Sequence, residues 1–222
     1  MKKYLSVLTS CPLFKGIVAD ELEKLLGCLR PKVITALRGE MIMGEGDPAT
    51  QIGIILSGSV QVIREDYYGN RSIMGKIGAG DMFAEAFACA GVACMPVSVI
   101  ALEASEILLI EAASIMHSCA KGCGFHQQLI HNMVKILATK NLMCNQKIEV
   151  TSKRSTREKL MAYLMLQAKK EGSSTFVIPY DRQELADYLE VERSGLCAEI
   201  SKLRREGILK SEKNRFELLK ED

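Results

Sequence analysis

The chain has no tryptophan, five prolines and three histidines in 222 residues, and no histidine precedes His117. His126 and His131 lie five apart and so do not share a helix face. No histidine cluster for a metal exists, and nothing speaks for haem. The eight cysteines contain no C-x-x-C. Their close pairs, Cys89/Cys94 and Cys119/Cys123, lack zinc-site spacing, and buried structural thiols are the default reading. Long apolar runs are missing too. The longest uncharged stretch, Ala86 to Leu102, has 17 residues and contains Gly91 and Pro96, which argues against a membrane span. It reads as a buried helix, a turn and a strand. Behind Lys2-Lys3 no apolar run suggests secretion, so the expectation is a reducing cytoplasm and no disulfide framework. Strong net charge is also absent: +2 overall, with residues 1–150 carrying 14 basic and 14 acidic side chains. Any affinity for nucleic acid then depends on where cations cluster, as at Lys153, Arg154 and Arg157, at Arg204 and Arg205, and at Lys210, Lys213 and Arg215.

The most informative stretch is Asp181 to Leu209. Asp181 with Glu184 forms a capping-box pattern after Pro179. Leu185, Tyr188 and Leu189 then share one helical face. The pattern breaks at Glu190-Val191-Glu192, and a second helix starts near Arg193, with Leu196, Ile200 and Leu203 apolar and Gly207 as terminator. On the opposite side fall Ser194, Ala198, Ser201 and Arg205, with Lys202 beside them and Arg193 at the N-terminus. A small or basic face without an acid suits close approach to base edges, as in a helix-turn-helix. Ile208-Leu209-Lys210 and Arg215–Leu218 flank the polar turn Ser211-Glu212-Lys213-Asn214, a hairpin in the place of a wing.

Upstream, residues 5–30 read as helical, with Leu22, Leu25, Leu26 and Leu29 on one face and Pro31 as terminator. From Lys32, short apolar runs alternate with glycines: VITAL, IGIIL, VQVI, SIMGKI, VSVIAL and EILLIE, with a hairpin at Tyr68-Gly69-Asn70. Many short strands at regular spacing indicate a sandwich or barrel. Phe125 to Val150 lacks Pro and Gly. One row there holds Leu129, Met133, Ile136, Lys140, Met143, Lys147 and Val150. A parallel row holds Ile130, Val134, Leu137, Asn141, Cys144 and Ile148. One row could face a partner helix and the other this chain's own strands. Thr151 to Ser155 reads as a hinge, and Arg157 to Lys170 as a helix. The expected fold class is α+β. The domains are residues 1–124, 125–151 and 152–222.

Gly39-(x)5-Glu45-Gly46-Asp47, then Ile54-Ile55-Leu56-Ser57-Gly58-Ser59-Val60, then Gly80-Asp81-Met82-Phe83-Ala84-Glu85 resemble the cyclic-nucleotide-binding β-roll. Joined to the helix-turn-helix, they make the chain resemble the Crp/Fnr family of bacterial transcription regulators over almost its whole length. The resemblance implies an N-terminal double-stranded β-helix (a cupin-like jelly roll), a long dimerisation helix and a C-terminal winged helix-turn-helix. It also implies a homodimer joined through the long helix, a palindromic duplex DNA operator, RNA polymerase as a further partner if the protein is an activator, and no enzymatic activity. A metal-dependent cupin enzyme would need strand histidines, and there are none.

Family members that bind cyclic AMP hold the ribose with a Gly-Glu pair and the phosphate with a later Arg-Ser/Thr pair. The matching positions here are Ala84-Glu85 and Met95-Pro96. A phosphate without its cation loses charge-assisted bonds worth about 1.5–3 kcal/mol each, so cyclic AMP is not the expected effector. The expected pocket is apolar, formed by Met82, Phe83, Phe87, Met95 and Val97 beside Glu85, for an unidentified small molecule; the bland alternative is a collapsed core. No cofactor is expected. A second alternative is thiol-based redox sensing, with Cys119 and Cys123 as the candidate pair. By position in the resemblance, Arg193, Ser194 and Ala198 fall where bases are read. Ala198 stands where many relatives carry Arg, so the familiar operator is not expected; loss of DNA binding, leaving a sensor or scaffold, is the third alternative. Arg182, Gln183 and Arg205 are candidate phosphate contacts.

Overall fold

The computed structural model describes residues 2–116 and 124–219. Contacts divide the chain into two compact units, residues 1–69 with 74–141, and residues 70–73 with 142–222.

Helices α1 (Leu5–Ser10) and α2 (Ala19–Leu29) precede eight strands, all in the first unit apart from residues 71–73 at the start of the fifth. The single helical run expected over residues 5–30 is broken. Pro12 cannot continue a helix and opens a 3-10 turn, Pro12–Phe14, and Gly16 takes a φ of +83°. Asp20 and Glu21 then occupy the first turn of α2, and Arg30 closes it in the left-handed region ahead of Pro31.

The strands are β1 (Lys32–Ala36), β2 (Met41–Met43), β3 (Gln51–Ser57), β4 (Ser59–Glu65), β5 (Arg71–Gly78), β6 (Met82–Phe83), β7 (Ser98–Ala101) and β8 (Ser105–Glu111). They form two four-stranded sheets, ordered β1-β8-β3-β6 and β2-β7-β4-β5. Side chains alternate across the first sheet, as the two-residue period of a strand requires. Ile55, Phe83, Ile107 and Leu109 join Val60, Met95, Val97, Val99 and Ala101 in one core. Ile52, Ile54, Met82, Leu108 and Ile110 face the other way, into a second core. The helices complete that second core with Leu8, Phe14, Leu22, Leu25, Leu29, Leu129 and Met133. This two-sided burial explains the unbroken apolar runs IGIIL and EILLIE.

Helix α3 (Glu85–Ala90) lies within the uncharged stretch read above as containing a buried helix. Only Glu85 of it is buried, and Ala86 and Ala90 are exposed. Its exposed side is alanine, while Phe87, Ala88 and Cys89 are partly buried against the two cores. The short α4 (Ala112–Met116) follows β8.

Helix α5 (Gly124–Thr151) spans the division between the units, which falls at 141/142 rather than at either of its ends. Leu129 and Met133 are fully buried, with Ile136 packed against the same core. The parallel row is open at Val134 (61% exposed) and from Asn141 through Cys144 to Ile148 (62% exposed), whereas Ile130 is partly buried and Leu137 packs against that same core. Residues 141–146 are all exposed.

In the second unit, Ser155 caps α6 (Thr156–Glu171) through a capping box with Glu158. Strand β9 (Thr175–Val177), helices α7 (Arg182–Leu189) and α8 (Arg193–Arg205), and strands β10 (Leu209–Glu212) and β11 (Arg215–Leu218) follow. The sheet order is β10-β11-β9, antiparallel throughout. Tyr163 of α6 packs against Tyr188 of α7 and against Tyr180, with centroids 5.3 and 6.4 Å away. The Lys147 ammonium of α5 sits 4.9 Å from the centre of the Tyr188 ring, a cation–π contact.

Candidate nucleic-acid interface and effector region

Asp181 and Glu184 cap α7 reciprocally: each backbone N–H donates to the other's carboxylate at 2.8 Å. Leu185, Ala186 and Leu189 fix α7 to the core of its unit, and Glu190 turns the chain with a φ of +55°. Helix α8 buries Leu196, Ile200 and Leu203. That rotation leaves Arg193, Ser194, Ala198, Ser201, Lys202 and Arg205 exposed. Ser201 donates its hydroxyl proton to the Cys197 carbonyl at 2.9 Å.

Acids are kept off this face. The Arg157 guanidinium of α6 lies 3.4 Å from Glu199 and 2.7 Å from Glu206. Its hydrogen bond to Glu206 holds that carboxyl below the usual range. Arg157, one of the clustered cations, is thus occupied within its own unit.

The wing is tighter than the expected four-residue turn. β10 and β11 pair out to Glu212↔Arg215, so the loop is Lys213-Asn214 with Lys213 at a φ of +49°. Between α8 and this hairpin lies a groove of about 710 Å³ lined by Arg204, Arg205, Lys210 and Arg215 and also by Glu212 and Glu217, the last 3.6 Å from the Lys210 ammonium. Arg204 and Arg205 come from α8, Lys210 from β10 and Arg215 from β11, and their spacing along the chain does not reveal the common wall.

The two candidates on α7 differ in setting. Gln183 is exposed and donates to Asp187 at 2.8 Å. Arg182 is half-buried, with its guanidinium 4.8 Å over the Phe216 ring, and its Nη1 is buried without a hydrogen-bond partner. Burial pulls its pKa down. It is a packing residue at least as much as a phosphate contact.

In the effector region the structure separates the expected residues. Phe83, Met95 and Val97 are buried together, with Phe87 packed against them. Gly53 makes room for Phe83, since a Cβ there would run into the ring. Met82 lies in the other core, with the helices. Glu85 is 2% exposed and opens α3 behind Ala84, whose φ is +64°. Its Oε1 is 2.7 Å from the Lys140 ammonium of α5, which also donates to the Met82 carbonyl at 2.6 Å. Glu85 Oε2 is buried without a partner. Lys140 appeared in the sequence only as a polar interruption of an apolar row, and no other signal pointed to its pairing with Glu85.

Cys119 and Cys123 lie outside the described residues. Elsewhere, burial pushes the Cys11 thiol up to about 11 and raises Cys89, whereas Cys28, Cys94 and Cys144 are exposed. Among the described residues no group of three His, Cys, Asp or Glu side chains could hold a metal ion, and no helix is long and apolar enough to cross a membrane.

A two-sheet β-roll followed by a long helix and a winged helix-turn-helix defines a class of two-module DNA-binding regulators. Residues 33–121 match the family described as "Cyclic nucleotide-binding domain", and residues 158–222 match "Crp-like helix-turn-helix domain". The chain belongs to the Crp/Fnr family of transcription regulators. No curated protein sequence matches it. Among solved structures, the c-di-GMP responsive global regulator CLP of Xanthomonas campestris is similar at a TM-score of 0.73 and 17% identity, over 92% of this chain and 100% of that one. A CooA mutant from Carboxydothermus hydrogenoformans gives 0.68 and 18%, over 88% and 86%. FixK2 from Bradyrhizobium japonicum gives 0.65 and 18%, over 86% and 93%. At these identities the likeness is one of fold.

Proposed function

We propose that the protein is a homodimeric, sequence-specific DNA-binding transcription regulator whose β-roll does not answer to cyclic AMP. The exposed, acid-free face of α8 carries the DNA reading: Arg193, Ser194, Ala198, Ser201 and Arg205 are free to meet base edges and phosphates, and the wing cations flank them. The open row of α5 supports the second copy. Two reading helices related by a two-fold axis fit a palindromic operator.

Two substitutions argue against cyclic AMP. Met95 and Pro96 replace the phosphate-binding pair, and Glu85 is taken by Lys140. The cation nearest Glu85, Lys140, is itself engaged by that carboxylate and by the Met82 carbonyl, which argues against its serving a cyclic AMP phosphate. An uncharged ligand among Phe83, Phe87, Met95 and Val97 fits the chemistry better.

Selection from a random duplex pool, with and without reductant, tests the reading. An enriched palindrome is the expected result, and no enrichment in either state argues for a sensor that has lost DNA binding. Enrichment in one redox state alone favours the thiol-sensing alternative. Titration calorimetry with cyclic AMP is expected to show no binding; micromolar affinity would overturn that part.

A further inference from the structure

Glu85 and Lys140 meet where α5 leaves the first unit. The helix is held to its core by Leu129 and Met133, then by Ile136 and Leu137. Ala138 and Thr139 are exposed, and residues 141–146 are exposed without exception. Lys140 is therefore the last side chain of α5 fixed within this unit, one residue before the division at 141/142. The next anchor along the helix is Lys147, over Tyr188, and it belongs to the other unit.

The last grip on the first unit is electrostatic, and it is incomplete. A carboxylate 2% exposed must have a partner, because an isolated buried charge is strongly unfavourable. Lys140 supplies one at Oε1 and ties itself to the Met82 carbonyl besides. Oε2 is buried and meets no donor of the protein, which removes part of the advantage of the closed state. A half-satisfied buried polar group has two clear alternatives: closed and paired, or open and hydrated.

We propose that Glu85 and Lys140 form a latch. Closed, it holds the last turn of α5 that is bound to the β-roll; open, it releases that turn and alters the helix geometry delivered to the reading module. The latch itself rests only on the contacts of the first unit, whereas its effect on DNA affinity rests on the function proposed above. The residue that the family resemblance assigns to a ligand hydroxyl becomes here a joint between α3 and α5.

Hydrogen–deuterium exchange of the full chain tests the latch without DNA. Lys140→Met leaves Glu85 charged and unpaired, and exchange across residues 137–146 is expected to rise about tenfold or more over the unaltered protein. Glu85→Gln with Lys140→Met removes both charges and is expected to return exchange towards the starting level, a strongly non-additive cycle. Glu85→Gln alone completes the cycle and serves where Lys140→Met does not fold, with exchange over the same residues expected to rise about threefold or more; Lys140→Arg, which keeps the charge, is the control and should stay near the original exchange. Unchanged exchange in Lys140→Met and in Glu85→Gln, or effects of the two that simply add, would overturn the latch. In a second arm, operator affinity is expected to change about fivefold or more with Lys140→Met and to recover in the double variant. Released exchange with unaltered affinity would sever the latch from DNA binding. An original protein that binds no duplex at all would instead overturn the proposed function, with the exchange arm still deciding the latch.

Discussion

Phe83 occupies the space that a side chain at Gly53 would need. The two residues are paired across β3 and β6, and a Cβ on Gly53 would meet the ring itself. Phe83 is 1% exposed, in the core that also holds Met95 and Val97. Gly53→Ala is therefore expected to destabilise the β-roll by about 1–3 kcal/mol through overpacking. Gly53→Ala with Phe83→Leu should recover part of that loss, because the smaller side chain vacates the site. Thermal unfolding followed by circular dichroism checks both variants. Equal melting temperatures for Gly53→Ala and the original protein would show that the roll interior has spare room, as an open effector pocket would.

Arg182 belongs to a different kind of prediction, because its surroundings changed its role. It stacks on Phe216 and is half-buried. Arg182→Ala should lower the stability of the reading module by about 1–2 kcal/mol, from the lost cation–π contact and stem packing. It should leave the salt dependence of DNA binding nearly unchanged. Arg205→Ala, at an exposed position, should do the reverse and reduce the slope of log affinity against log salt by about one. A lowered salt slope with Arg182→Ala at full stability would restore the phosphate-contact role.

These differences show what could be read from the chain and what could not. The two helices of the reading module were legible because Leu185, Leu189, Leu196, Ile200 and Leu203 repeat at helical spacing and Asp181 and Glu184 mark the start. The inner strands were legible because IGIIL and EILLIE are apolar on both faces. The strands Met41–Met43 and Met82–Phe83 were not, since two or three residues carry no period. Ser211 and Glu212 looked like turn residues by propensity, yet pairing with Phe216 and Arg215 draws them into β10. The effector region was the least legible part. Glu85 could be matched by position to a ligand contact, but the side chain it pairs with here, Lys140, lies 55 residues away on another helix, and no spacing rule reports such an encounter.

On α8, Ala198 lies between Ser194 and Ser201 on the exposed face. A small residue allows close approach to the groove, with a thymine methyl as its natural contact. Ala198→Glu is expected to abolish operator binding, because it places an acid against the phosphates and base acceptors. Arg193→Ala should cost about 1–3 kcal/mol and relax specificity at one position if Arg193 reads a base. Fluorescence anisotropy on the selected operator and on single-position variants of it makes the measurement. A uniform loss across all duplexes would reassign Arg193 to the backbone.

Cys144 lies on the open row of α5 with Val134, Asn141 and Ile148, and its thiol is exposed. In a parallel pair of helices related by a two-fold axis, same-numbered residues of the seam face one another. Two Cys144 thiols would then come within disulfide reach, about 5.5–6 Å between Cα atoms. Hydrogen peroxide, reduced to water as it takes the two thiol protons and two electrons, should convert the protein to a covalent dimer on a non-reducing gel. Cys144→Ser should prevent this, while Cys28→Ser and Cys94→Ser should not. Sedimentation of the unoxidised protein reads the same question without chemistry. A monomer there, with no cross-link, would overturn the homodimer; a dimer that fails to cross-link through Cys144 would move the seam to another face of the helix.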